Sequence, residues 1–143
     1  MTGPAPAPGR RHEIRVYYED TDFSGVVYHA SYLRFLERGR TEYLRARGIH
    51  QQGVLEGRFG PPFAFAVARM NLAFLRPARM DDLVAVETEL TRLGGASASL
   101  RQRIVRMDGE LIGPELVTAD VVVACVSDGK PARLPAWVRA RLG

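Results

Sequence analysis

The chain contains one long helical pattern, and almost everything after it reads as strand. From about Ala30 to Arg47, apolar residues fall at Tyr32, Leu33, Phe35, Leu36, Tyr43 and Leu44, while Arg34, Arg38, Glu42 and Arg45 lie largely on the other side. That spacing predicts an amphipathic helix with one face to bury. Seventeen or so residues make a rod of about 25 Å. Gly39 falls on the apolar side, where it costs about 1 kcal/mol against Ala, so close packing on a sheet is its expected purpose. Gly48 suits the position just past the helix end. Ser31 suits the N-cap, with a start one or two residues earlier as the alternative.

The flanking segments predict the sheet. Glu13–Glu19 reads as a short strand and Asp20–Gly25 as a loop. After a less regular stretch over 49–60, with room for a short helical turn, Gly60-Pro61-Pro62 forces an extended chain. Phe63–Leu75 is a strand whose two faces are both largely apolar in its first half, which predicts cover on both sides. Leu83–Leu93, Ser97–Met107 and Val117–Val126 follow, joined by turn signals at Gly94-Gly95 and Asp108-Gly109. Pro114 predicts a break or bulge. A turn at Asp128-Gly129 leads to a tail helix from about Ala136. One helix plus consecutive strands joined by hairpin turns is an α+β pattern with an antiparallel sheet.

Composition narrows the class. A length of 143 residues suggests one domain, able to bury a core without disulfides or metals. The expected division is a flexible Pro/Ala-rich leader over 1–12 and a single domain over 13–143. Cys125 is the only cysteine, which excludes an intrachain disulfide and a Cys-rich metal site and favours a reducing, cytoplasmic setting. The leader lacks the apolar core of a signal peptide. No window approaches the roughly 20 apolar residues of a membrane span. A net charge of +4 fits either an ordinary basic protein or one with an anionic partner: a phosphate-bearing cofactor, an acidic carrier protein or nucleic acid. No zinc-finger spacing, RNA-recognition aromatic signature or long basic run supports nucleic acid.

Candidate chemistry gathers where the loop meets the helix. Glu19, Asp20 and Asp22 are three carboxylates close in sequence. Asp22 can cap the turn, contribute to a metal site, or act as base or nucleophile on an electrophilic carbonyl. His29 is the only nearby nitrogen ligand, and no third metal ligand has suitable spacing. His29 stands where the helix should begin. It reads either as a hydrogen-bonded structural residue or as part of a site in which first-turn N–H groups receive developing negative charge. There is no G-x-S-x-G nucleophile elbow. Cys125 sits in an apolar strand and reads as core, while His12 and His50 have no supporting context.

The run Arg15-Val16-x4-Thr21-Asp22-x2-Gly25-Val26-Val27-x-His29-x2-Tyr32, followed by Tyr43, resembles the signature of the 4-hydroxybenzoyl-CoA thioesterase family. The wider run VYYEDTDFSGVVYHASYLRFLERGRTEYLR is similar to its Tol–Pal-associated branch of acyl-CoA thioesterases. The likeness continues through FAVARMNLAFLRPARMDD, QRIV and KPARLP, over roughly residues 13 to 138. It implies a hot-dog fold, a long helix wrapped by a five-stranded antiparallel sheet, in subunits that dimerise edge to edge and pair into tetramers with the active site at an interface. It implies hydrolysis of small acyl-CoA thioesters, aliphatic or aromatic, with coenzyme A as part of the substrate and no separate cofactor or metal. Asp22 matches the catalytic carboxylate, acting through a mixed anhydride or as general base, and His29 the position whose backbone N–H polarises the thioester carbonyl and whose ring also counts as catalytic. Tyr28, Glu37, Phe63, Phe65 and Val67 are candidates for the substrate pocket, each with a plain packing or ion-pair alternative. Where some members carry a basic cluster to grip the CoA phosphates, this chain has Gly94-Gly95-Ala96. Arg133 is then the chosen phosphate contact, with Arg76, Arg79 and Lys130 as alternatives. An acyl-carrier-protein-binding module with weak hydrolysis is the competing reading. A hydratase on the same fold is disfavoured by the spacing of Asp22 and His29.

Overall fold

A computed structural model describes residues 6–143. Its elements are β1 (Arg11–Arg15), α1 (His29–Ala46), α2 (Gln51–Leu55), β2 (Ala64–Phe74), β3 (Leu83–Leu93), β4 (Ser97–Asp108), β5 (Leu111–Ser127), β6 (Lys130–Pro131) and α3 (Ala136–Leu142). The strands form one antiparallel sheet in the order β1-β3-β4-β5-β2, with the two-residue β6 added to β5. The five principal strands match the expected number.

The helix α1 lies on the inner face of this sheet. Its apolar face buries Tyr32, Phe35, Leu36, Tyr43 and Leu44. Gly39 meets β3: a Cβ there would stand 2.9 Å from the Val86 Cβ, too close for any side chain. Two phenols fasten the helix to neighbouring backbone. The Tyr32 hydroxyl accepts the Ala78 N–H at 2.9 Å, and the Tyr43 hydroxyl accepts the Leu90 N–H at 3.2 Å. At the C-terminus, Gly48 takes a φ of +76°. Its N–H bonds to the Arg45 carbonyl and that of Ile49 to the Leu44 carbonyl, which satisfies the last carbonyls of the helix.

Several sequence expectations shift. The first strand spans Arg11–Arg15 rather than Glu13–Glu19, so it starts inside the stretch read as leader; the part of that leader over 1–5 lies outside the described residues. The strand stops early because the Asp20 carboxylate accepts the Tyr17 N–H at 2.9 Å, drawing Tyr18–Asp20 into a 3-10 turn. The helix begins at His29 with Tyr28 as N-cap, and Ser31 is a buried residue of the first turn instead. The last long strand starts at Leu111, not Val117. Pro114 is absorbed by register shifts between Ile104 and Met107 on β4, so the expected bulge occurs without breaking the strand.

The strand β2 corrects the expectation of two-sided cover. Phe65, Val67, Met70, Leu72 and Phe74 stand opposite Cys125, Val123, Val121, Ala119 and Val117, all of them buried. Paired residues share a face, so these five point inward. The register slips between Val67 and Arg69, leaving Ala68 as an extra residue. An extra residue reverses the period-two alternation. The inward face is therefore odd-numbered up to 67 and even-numbered from 70. Two half-faces, not two covered faces, produced the double apolar pattern. The strand is a sheet edge and largely exposed in the single chain, with Val67 49% and Phe74 54% accessible.

Candidate active site

The loop between the 3-10 turn and α1 is closed by its own backbone. Thr21 bridges Val27, the Asp22 N–H donates to the Val26 carbonyl at 2.9 Å, and the Gly25 N–H donates to the Asp22 carbonyl at 3.2 Å. Gly25 supplies a φ of +82°, a region that disfavours side chains. A second set of bonds pins the loop to the segment after β2: Val27 N–H to the Ala78 carbonyl at 2.8 Å, and Met80 N–H to the Gly25 carbonyl at 3.1 Å.

This folding holds Asp22 in a defined state. Its Oδ1 accepts both the Ser24 hydroxyl at 2.6 Å and the Ser24 N–H at 2.8 Å. These two bonds, the hydroxyl first, with a smaller contribution from the Val26 backbone, hold the carboxyl below its ordinary value of 3.8. Asp22 is thus an anion at neutral pH. Oδ2 has no hydrogen-bond partner among the described residues, which leaves one carboxylate oxygen free to act on a substrate or a water. Asp20 is occupied: it is buried, its carboxylate holds Tyr17, and its carbonyl accepts the Tyr28 N–H at 2.9 Å.

The Tyr28 N–H bond ends the loop and sets the start of the helix. His29 is the first residue of α1, and no acidic residue occupies the first turn. No hydrogen bond among the described residues uses the N–H of His29 or Ala30, whereas the Ser31 N–H turns back to the Tyr28 carbonyl. Free donors at the positive end of a helix dipole suit an oxygen that gains negative charge. The rings of Tyr28 and His29 are exposed and lie 4.4 Å apart, tilted at 45°.

The remaining candidates gather elsewhere. Glu37, Phe65 and Val67 line one cleft between α1 and the β2–β5–β4 face. Phe63 and Phe65 line an adjoining cleft against α2, and their rings meet edge to face at 5.5 Å. Phe63 is 6% accessible and belongs mainly to the core. Asp22, Tyr28 and His29 line neither cleft. Glu37 lies eight residues beyond His29, about 12 Å along the helix axis. The single chain therefore brings Glu37, Phe65 and Val67 together but does not bring them to Asp22. Arg133 is exposed between β6 and α3, and its side chain has no hydrogen-bond or ion-pair partner among the described residues.

Two features escaped the sequence reading. Ser24 is one: it lies in the loop over Asp20–Gly25, and a hydroxyl two positions after a carboxylate is the signal of such a bond. Arg40 is the other. It is 8% accessible, and its Nη1 donates to Gln102 Oε1 at 3.0 Å. Its i,i+4 relation to Leu36 placed a cation on the buried face. Among the described residues no cluster of three or more His, Cys, Asp or Glu could hold a metal ion, and no helix is long and apolar enough to cross a membrane.

Comparison with known proteins gives this arrangement a context. The sequence model of the Thioesterase superfamily matches residues 24–112, a span that begins two positions after Asp22. The acyl-CoA thioester hydrolase YbgC of Escherichia coli is 44% identical over 127 residues, covering 87% of this chain and 89% of that one. The acyl-CoA thioesterase YbgC of Haemophilus influenzae is 46% identical over 129 residues, 89% of each chain. Among solved structures, a probable thioesterase from Bartonella henselae superposes with a TM-score of 0.78 at 45% identity, covering 87% of this chain and 98% of that one. The helix wrapped by a curled antiparallel sheet is the hot-dog architecture expected from the sequence.

Proposed function

The chain belongs to the Thioesterase superfamily as an acyl-CoA thioester hydrolase, and we propose that it hydrolyses small acyl-CoA esters with Asp22 as the reacting carboxylate. The observation that carries this is the pairing of an ionised Asp22, one oxygen held by Ser24, with a helix N-terminus, reached by the same loop, whose first N–H groups have no acceptor among the described residues. A thioester needs little more. Its carbonyl oxygen takes the His29 N–H, which stabilises the charge that develops there. Asp22 either attacks the carbonyl carbon, expelling the CoA thiolate and leaving a mixed anhydride for water to open, or removes a proton from the attacking water. Both routes end in free acid and CoA. The ring of His29 and that of Tyr28 flank the carbonyl position.

The incomplete pocket has a natural partner in a second copy. Pairing of β2 edges would cover Val67 and Phe74 and supply the missing wall near Asp22, giving a dimer or a dimer of dimers. Exposed Arg133 suits a CoA phosphate, and the net charge of +4 also suits an acidic acyl carrier protein. Cys125, buried and reduced, fits a cytoplasmic enzyme. The test is a panel of aliphatic and aromatic acyl-CoAs and acyl carrier proteins, read by release of free thiol. Turnover of small acyl-CoAs is expected. Hydration of crotonyl-CoA without thiol release would overturn the reading, and turnover confined to carrier-protein esters would move the substrate from CoA to the carrier.

A further inference from the structure

The helix α1 carries a buried cation with little to pair with. Arg40 donates Nη1 to Gln102 Oε1. Gln102 is fully engaged: it is 1% accessible, and its Nε2 donates to the Leu36 carbonyl at 3.0 Å and to Thr88 Oγ1 at 2.9 Å. It holds Arg40 in place and has no capacity left to neutralise it. No carboxylate among the described residues lies within ion-pair distance of the guanidinium. Glu37, one turn earlier, acts on it only through space, and its side chain is exposed. An arginine keeps its charge even when buried and has five N–H donors to satisfy. The other N–H groups of Arg40 are not sealed in, because its nitrogens are absent from the buried unpaired atoms of the described residues. Arg40 is one of the residues that line the cleft between α1 and the sheet.

The sheet side of that cleft is apolar, formed by Phe65, Val67, Leu100 and Val123, while Glu37, Thr41 and Gln51 complete its polar lining. Its space is about 80 Å³, several times the roughly 10–15 Å³ that one water needs on the same measure. A fixed guanidinium on one side and a hydrocarbon wall on the other make a site for a small molecule with an apolar body and an anionic, planar end. We infer that this cleft binds short aliphatic or aromatic carboxylates, the carboxylate on Arg40 and the hydrocarbon against Phe65, Val67, Leu100 and Val123. Such a carboxylate has two sources: a free acid, the kind of product thioester hydrolysis releases, or the far end of an acyl group still joined to CoA. The site stands on the cleft alone; only the second source rests on the function proposed above.

The test uses the full chain. Sodium valerate is titrated by calorimetry, with valeramide as the uncharged control, and turnover of glutaryl-CoA is compared with that of valeryl-CoA. Losing a hydrogen bond to a charged group weakens binding about tenfold or more, so Arg40→Met should reduce valerate affinity by that factor or reduce the glutaryl preference by that factor. Arg40→Lys should restore part of either effect, and Glu37→Gln should tighten valerate binding. Thr41→Phe, which adds bulk at a half-buried position of α1 lining the same cleft, should close it and carries the test if Arg40→Met does not fold. A response with valerate identifies a free-acid site, and a response confined to glutaryl-CoA identifies an acyl-end site. The proposal is overturned if folded Arg40→Met alters neither, or if valeramide binds as well as valerate. No hydrolysis of any acyl-CoA alongside intact valerate binding would sink the proposed function and leave the site standing.

Discussion

The loop from Asp22 to Tyr28 that leads into α1 and the cluster around Arg40 within α1 are built in opposite ways. At the loop, the bonds that set the carboxylate span two residues, Ser24 to Asp22, and the turn closes over four, Asp22 to Val26. At the cluster, Arg40 meets Gln102 across 62 positions, and Gln102 meets Leu36 across 66. The first arrangement is local and exposed, so its chemistry can change with little effect on folding. The second is long-range and buried, so its polar groups are part of the core. Reactivity is thereby set in the loop that enters the helix, and stability on the helix's buried face.

That separation makes graded predictions. The largest effect belongs to Asp22→Asn, expected to lower kcat by about 10²–10⁴ while leaving the melting temperature unchanged. Near-normal thiol release from this variant would remove Asp22 from the chemistry. Next, Gln102→Leu leaves Arg40 and Thr88 without their shared partner and should cost about 2–4 kcal/mol of stability. Urea unfolding would read this as a lower midpoint at constant slope. A neutral result would mean that the cluster does not belong to the core. A smaller loss is expected for Gly39→Ala, where about 1–3 kcal/mol of overpacking against Val86 exceeds the gain of about 1 kcal/mol in helix propensity. Thermal melting tests it, and a rise in Tm would show that the helix does not sit against β3 at that point.

The smallest effect is a displacement in pH. The Ser24 hydroxyl is the leading cause of the lowered Asp22 pKa. The ionised form is the active one, so activity should persist above that pKa and fall as pH drops through it, below the ordinary 3.8. Ser24→Ala removes the hydroxyl bond, keeps the backbone one, and should move the acid limb of the kcat/KM profile upward. An unmoved limb would detach Asp22's titration from the rate.

Much of the fold was legible because it rests on periodicity. The apolar stripe of α1, the hairpin signals at Gly94-Gly95 and Asp108-Gly109, and the C-terminal role of Gly48 are all local patterns, and they place the elements correctly. The strand β2 shows how the same reasoning fails. Period-two alternation assumes a continuous register, and Ala68 interrupts it. The early end of β1 was hidden for a related reason: a side-chain bond from Asp20, not the apolar pattern, decides where the strand stops.

The site divides along the same line. Asp22 and the head of α1 were legible as neighbours from the chain alone, because turn formation and helix initiation act over a few residues; the Ser24 bond that fixes the carboxylate was not. Only the tertiary structure decided that Arg40 is buried beneath β4, that Phe65 and Val67 face the helix, and that their cleft stands apart from Asp22 in a single chain. Those outcomes depend on sheet register and on contacts across sixty or more positions. A one-residue slip would reverse which side chains face the helix.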